Sequence, residues 1–350
     1  MRTLVSLIVL SALAAGAWAG WDTWTGLRTP FKGYAGDERF VDIAPGTGPR
    51  RIGDILVGAG VVQDALMWRI ALWQSGTATR LKAGEYRFSG PMTPAEVIAK
   101  LERGEVFLRP VTFPEGLTIR QMARVFERAG LGTAGVFLDA ARDVTLVADI
   151  DPAATDLEGY LFPDTYALPR QAEPRDLMVQ MVARFRRVFG EGLRQEARAA
   201  GFTIRQVVTL ASLVEKETAR ADERPVVSAV YRNRLAARIG LQCDPTVIYA
   251  LERAGRFTGN LTREDLTFDS PYNTYRYVGL PPGPIASPGL ASLEAAVRPA
   301  GVDYLYFVSR NDGSHAFART LAEHNRNVQE WQVRYFRENQ SPTPGRGRRR

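Results

Sequence analysis

The run Leu210-Ala-Ser-Leu-Val-Glu-Lys-Glu-Thr218 decides how this chain is read. Just upstream, Thr203-Ile-Arg-Gln206 has the form of a capping box, with Thr203 as N-cap and Gln206 reaching back to it. Ile204, Val207, Val208, Leu210, Ala211 and Val214 then recur at helical spacing and make a broad apolar stripe. The stripe predicts a buried helix. Glu215 and Glu217 arrive where it should continue; at about 100° per residue they fall about 80–90° either side of its centre, with Lys216 outward. Both side chains are expected at the border of core and cleft, where partial loss of water raises a carboxyl pKa and suits it to general-acid work. Two solvated glutamates on a helix flank are the competing reading of the same pattern.

A chain of 350 residues has room for two or three domains, and 45% hydrophobic with 24% charged residues is a globular balance. The net charge of +7 is carried mostly by Arg, part of it in Gly345-Arg-Gly-Arg-Arg-Arg350. Such a surplus suits an anionic partner: nucleic acid, a membrane surface or an anionic cell-wall polymer. No basic run is interleaved with aromatics, so nucleic acid is not expected as a partner. A single cysteine, Cys243, excludes an intramolecular disulfide and reads as a small packed residue.

From Thr3 to Trp21 the chain is apolar and nearly uncharged. It is long enough for one bilayer-spanning helix, while Ala17-Trp18-Ala19 also fits the end of a cleaved export signal. An uncleaved anchor is the expectation, with Arg2 on the cytoplasmic side and Trp18, Trp21 and Trp24 as an interfacial belt. Everything after about Thr25 then lies outside the cytoplasmic membrane.

Beyond a Gly- and Pro-rich connection, a near-repeat is visible. A β run at Arg39 to Ala44 leads into a helix with Ile52, Ile55 and Leu56, and Val111-Thr-Phe-Pro-Glu-Gly116 leads into one with Ile119, Met122, Ala123 and Phe126. Between them a helix from Gln63 to Gln74, a strand Gly84 to Phe88 and a capped helix Thr93 to Glu102 are predicted, so the fold class is α+β. Residues 131–151 read as helical. Leu157-Glu-Gly-Tyr-Leu-Phe-Pro-Asp-Thr-Tyr166 is dense in aromatics and broken by Gly159 and Pro163, which makes it a candidate cleft wall for stacking on sugar rings. Asp244 and Pro245 are placed to start a helix. Pro271 to Gly289 is the longest irregular stretch of the folded body and reads as a rigid wall. A hairpin turns at Asn311-Asp-Gly313, a last helix covers about Thr320 to Glu338, and residues 339–350 form a basic tail expected to be disordered.

The chemistry left open is narrow. Only His315 and His324 are present, without metal-ligand spacing, so no metal is expected. Neither a Gly-x-Ser-x-Gly elbow nor a phosphate-binding glycine loop occurs, and no cofactor is expected. Carboxylate chemistry in an aromatic, Asn/Asp/Tyr-lined cleft remains, and it points to glycosidic bond cleavage. The candidate catalytic residues are Glu217 and Glu215. Glu158, Tyr160, Asp164, Tyr166, Asp244, Asn273 and Tyr275 are candidate substrate contacts, each with a structural role as the alternative.

Several blocks carry a resemblance. Ala-Ser-Leu-Val-Glu-Lys-Glu-Thr, Glu-Gly-Tyr-Leu-Phe-Pro-Asp-Thr-Tyr, Leu-Gln-Cys-Asp-Pro-Thr-Val-Ile-Tyr, Tyr-Asn-Thr-Tyr, Gly-Leu-Pro-Pro-Gly-Pro-Ile-x-x-Pro-Gly and the closing His-x-Phe…His-Asn occur in one order. Together the chain resembles the endolytic murein transglycosylases of the bacterial inner membrane, from the anchor to about Gln332. The resemblance implies a transmembrane anchor over 1–24, a LysM-like peptidoglycan-binding region over 25–110 and a catalytic domain over 111–335. It also implies one essential glutamate cutting glycan strands without water, and cell-wall synthesis enzymes as partners. It puts the catalytic role on Glu217, with Glu215 as the alternative. Cys243 departs from the polar or small residue expected at its position, and the Arg-rich tail has no counterpart. A glycan-binding protein that does not cut and a two-carboxylate muramidase are the rival classes.

Overall fold

The computed structural model describes residues 2–170, 172–335 and 337; of residues 2–9, 12 and 19 it describes the backbone alone. The Arg-rich tail, 339–350, lies outside the described residues. Thirteen α-helices and three two-stranded sheets are present among them, an α+β mixture.

The chain forms two compact units, Met1–Pro110 with Tyr166–Ala172, and Val111–Thr165 with Glu173–Arg350. The first begins with α1 (Arg2–Arg28), an unbroken helix. Among the described residues no helix is long and apolar enough to cross a membrane. The expected span is therefore not shown: the apolar side chains from Leu4 to Val9 lie outside those described, and what is described is rich in Ala and Gly and runs on to Asp22 and Thr23.

After α1 come β1 (Arg39–Ile43), α2 (Pro49–Gly58), α3 (Ala65–Ser75) and β2 (Gly84–Phe88). β1 and β2 pair antiparallel, Val41 opposite Tyr86, which closes a βααβ module. Val41, Ile43, Leu56, Trp68, Tyr86 and Phe88 fill its core with Val97, Ile98 and Leu101 of α4 (Pro94–Arg103). The cap read at Thr93 is a capping box, closed by Glu96. β3 (Leu108–Thr112) follows and pairs with β4 (Thr165–Pro169).

The second unit holds α5 (Ile119–Arg128), α6 (Ala134–Ala140), α7 (Pro174–Val188), α8 (Glu191–Ala199) and α9 (Ile204–Glu217). α10 (Arg224–Ala236), α11 (Asp244–Arg253) and α12 (Leu290–Val297) come next, then the hairpin of β5 (Tyr306–Ser309) and β6 (His315–Ala318), and α13 (Leu321–Val328). Asn311, at φ 65°, and Gly313, at φ 85°, make the hairpin's turn. α13 runs on as a π-helical stretch, Gln329–Arg334, so the last helix is not regular to Glu338 as expected. The helical reading of 131–151 reduces to α6 and a 3-10 turn at Val144–Leu146. α9 is the hub: every residue from Val207 to Val214 is buried, and α8, α10, α11 and α12 all pack on it.

Leu157 to Pro163, expected as a cleft wall, is buried throughout. Apolar bulk of this density is more stable withdrawn from water than displayed, at roughly 1.5–3 kcal/mol for each large side chain. Gly159 (φ +84°) lets it pass close to α9. A Cβ there would lie 2.5 Å from the Pro284 ring and 2.8 Å from Val208. The 279–289 loop packs down on the same helix, with Ile285 N–H donating to Ser212 Oγ at 3.0 Å.

Candidate active site

α9 stops at Glu217 because Thr218 turns to extended backbone (φ −139°, ψ 133°). Its start is set by the expected box: Gln206 N–H donates to Thr203 Oγ1 at 3.2 Å and Thr203 N–H to Gln206 Oε1 at 2.9 Å. The last turn carries both glutamates, and the tertiary structure sends them to different places.

Glu215 turns toward α12. Its Oε2 accepts from Gly289 N–H (3.1 Å) and Ser292 Oγ (2.7 Å), and Oε1 faces Arg224 at 3.6 Å. An anion at a helix N-terminus is favourably placed, and this one fastens the first turn of α12 to the end of α9. Glu115 lies nearby, its carboxyl pKa raised first by burial and then by the Glu215 charge.

Glu217 turns toward α10 and α11. Tyr231 donates its hydroxyl to Oε2 at 3.0 Å, and the Cys243 thiol lies 3.6 Å from the same oxygen. Burial pushes its carboxyl pKa up, the two donors draw it back in part, and the Asp244 charge pushes it up again. Standing at a helix C-terminus adds to the cost of a negative charge there. A cleft of about 420 Å³ opens here, bordered by Glu217, Arg234, Gln242, Asp244, Tyr275, Tyr306, Phe307, His324 and Asn325. Tyr275 donates to Asp244 Oδ1 at 2.5 Å. Arg234 is pinned by the Gly240 and Leu305 carbonyls and by Gln242 Oε1, under the Tyr306 ring. The His324 ring stacks on Tyr306 at 5.2 Å, and burial, then Arg234, lowers its pKa, so the imidazole is neutral at neutral pH.

Of the nine residues singled out from sequence, the cleft gathers Glu217, Asp244 and Tyr275. Glu215 does not border it. Glu158 is buried under the N-terminus of α5, where it accepts from Ile119 N–H at 3.0 Å and from the Tyr249 hydroxyl at 3.2 Å. Burial, then the Asp156 charge, pushes its pKa up to about 8. It borders a separate cavity of about 340 Å³ with Tyr249 and Arg253. Tyr160 is buried and donates to Asp151 Oδ2 at 2.7 Å, beside the Arg205 ion pair to the same oxygen. Asp164 pairs with Arg184 at 2.7 Å. Asn273 is fully buried; its Nδ2 donates to the Leu266 and Phe268 carbonyls, and its Oδ1 accepts from Tyr275 N–H. Tyr166 is buried and falls in the first unit. Asp244 does not cap α11; Cys243 holds the N-cap position without a side-chain bond.

Arg234, Tyr306, His324 and Asn325 were not singled out from sequence. His-Asn was visible as part of a family block, but a helix histidine reads equally as surface until the hairpin and α13 come to border the cleft at Glu217.

A family model described as YceG-like matches residues 41–330. The chain belongs to the YceG-like family. The endolytic murein transglycosylase of Bacillus subtilis (strain 168) is 30% identical over 301 residues, 82% of each chain. That of Streptococcus pneumoniae serotype 2 is 29% identical over 354 residues, spanning 93% of this YceG-like chain and 64% of its own length. A crystal structure of a protein described as yceG-like from Listeria monocytogenes superposes with a TM-score of 0.57 at 31% identity, covering 83% of this chain and 98% of that one.

Proposed function

We propose that this protein is an endolytic murein transglycosylase. It would cut the β-1,4 linkage between N-acetylmuramic acid and N-acetylglucosamine within glycan strands and leave a 1,6-anhydromuramic end. One observation carries the reading: the cleft contains a half-buried carboxyl at a helix end, Glu217, whose bonded partners among the described residues are both neutral.

Protonated Glu217 donates to the oxygen linking the two sugars. The bond from that oxygen to C1 of the muramic ring breaks, and the glucosamine side leaves as an alcohol. Glu217, now a carboxylate, takes the proton from the muramic O6 hydroxyl as O6 bonds to C1, which returns the acid to its starting form. One carboxyl serves both steps and no water is consumed, whereas hydrolases use two carboxyls roughly 5–10 Å apart. Gln242, His324 and Asn325 supply neutral hydrogen-bonding groups along the same cleft.

Asp244 is the other carboxylate bordering the cleft, and it supports a muramidase as the second reading. Incubating the full chain with isolated murein in ¹⁸O-labelled water separates the two. Anhydro ends without label, lost in Glu217→Gln, are the expected result. Labelled reducing ends, or full turnover in that variant, would overturn it.

The apolar run from Thr3 to Trp21 supports α1 as an inner-membrane anchor with the remainder in the periplasm, where cell-wall synthesis enzymes would be neighbours. Trp18, Trp21 and Trp24 are exposed, as suits an interfacial belt. Release from membranes by alkaline carbonate without detergent would count against the anchor. The βααβ order supports reading 25–110 as a LysM-like glycan-binding region. So does an open cavity of about 570 Å³ along Trp68, Leu72 and the exposed Trp73, with Arg50 and Arg69 also bordering it.

A further inference from the structure

Three helices meet at Glu217. α9 ends on it, α10 presents Tyr231, and Cys243 precedes the first turn of α11. Both neighbours are buried to 1% exposure, and both reach the same oxygen, Oε2, at 3.0 Å and 3.6 Å. The Tyr231 ring has little freedom, because Phe307 of β5 meets it edge-on with centroids 5.9 Å apart. No described residue is bonded to Oε1. Burial raises the hydroxyl of Tyr231 and the thiol of Cys243 far above their ordinary pKa values, so both keep their protons, and remain donors, at neutral pH.

We propose that Tyr231 and Cys243 form a positioning pair that holds Oε2 of Glu217 and so dedicates Oε1 to carrying the transferred proton. This rests on the reading of Glu217 as the acid. A hydrogen bond to one carboxyl oxygen fixes the plane of the group, and the remaining oxygen then has one direction in which to deliver its proton. The choice of donors matters as much as the geometry. A lysine or arginine in either position would hold the carboxyl ionised, which disables an acid. A phenol and a thiol orient it with no formal charge, and the thiol is the weaker donor of the two. What read in the sequence as a packed cysteine thus touches the group that reacts.

Other charges face Glu217 and set the background against which the pair acts. Asp244 of α11 disfavours the ionised form, and His315 of β6, itself bonded to Glu223 at 2.6 Å, favours it when charged. Arg234 of α10 and His324 of α13 border the same cleft. None of these bonds to Oε2, so conservative changes at Tyr231 and Cys243 are read against a constant field.

The test is the pH dependence of anhydro-product formation by the full chain, with kcat and KM separated. Tyr231→Phe keeps the ring and removes the donor. The expected result is a kcat lower by about ten- to a hundred-fold with KM little changed, and an alkaline limb moved to higher pH because a donor to the carboxylate is lost. Cys243→Ser, a stronger donor, should move that limb to lower pH, and Cys243→Ala to higher pH. Opposite signs for Ser and Ala at one position are not produced by packing alone. If both variants and Tyr231→Phe lower the melting temperature but leave the limb and kcat in place, the pair is structural and the proposal falls. A second readout needs no turnover: the carboxyl ¹³C titration of Glu217, assigned by its disappearance in Glu217→Gln, should move in the same directions. Retained product formation in Glu217→Gln defeats the assignment of the acid, while the ¹³C shifts still judge whether the pair controls that carboxyl.

Discussion

Ser292 donates its hydroxyl to Glu215 Oε2 at 2.7 Å, so the glutamate two residues before the proposed acid is a strut between α9 and α12. Its other oxygen faces Arg224, whose side chain is 12% exposed. Glu215→Ala would leave that guanidinium buried without its carboxylate and release the Gly289 N–H as well. The expected cost is about 3 kcal/mol of unfolding free energy in urea, and whatever folds should still release anhydro ends. A stable but inactive Glu215→Ala protein would move the chemistry to this residue.

Glu217→Gln should lower turnover by on the order of 10²–10⁴-fold while sparing the fold. Its native pKa is raised above the unfolded value, so between the two the native state binds more protons, and stability falls as pH rises. Gln removes that decline. The variant should therefore gain on the wild type in melting temperature as the pH is taken from 5 to 8. In the active protein the acid form is the working one, so activity should fade on the alkaline side, at a pH above the ordinary carboxylate range. A limb near pH 4 would contradict the burial of this group.

Glu158 gives a separate pH signature, from a cavity distinct from the cleft at Glu217. With its pKa raised from 4.5 to about 8, its contribution to stability is fully present below about pH 4.5 and lost as the pH rises through about 8. The span corresponds to roughly 3–5 kcal/mol. Glu158→Gln should flatten this dependence in urea unfolding measured at pH 5 and pH 8.5. A wild-type protein equally stable at both would show that Glu158 ionises without cost.

Gly159→Ala meets two obstacles together. The backbone sits at φ +84°, and a Cβ would strike Pro284 and Val208. Left-handed backbone costs about 1–2 kcal/mol and overpacking about 1–3, so a loss of about 2–4 kcal/mol is expected in urea unfolding. The loop at 279–289 should loosen with it, seen as faster amide exchange at Ile285. A loss under about 0.5 kcal/mol would mean that the loop yields freely.

How much of this was legible depends on range along the chain. The caps at Thr93 and Thr203 are contacts across three residues, so their donors and acceptors lie within one turn of each other in the sequence. The apolar stripe of α9 and the Asn311-Asp-Gly313 turn are equally local, and each formed as read. Aromatic density at 157–166 was visible too, but not its direction: Tyr160 went inward because Asp151, itself paired with Arg205, supplied its hydroxyl with an acceptor there. The two glutamates show the limit most sharply. Helix geometry gives each the same angular distance from the stripe, so nothing within α9 distinguishes them. The distinction comes from Ser292 and Gly289, more than seventy residues on, which take Glu215, and from Tyr231 and Cys243, which leave Glu217 among neutral groups. A sequence determines by itself which residues will form a helix and which face will be buried, because those energies are set within a turn or two. Only the folded chain decides what each carboxyl meets, since its partners are brought to it by helices that pack there for reasons of their own.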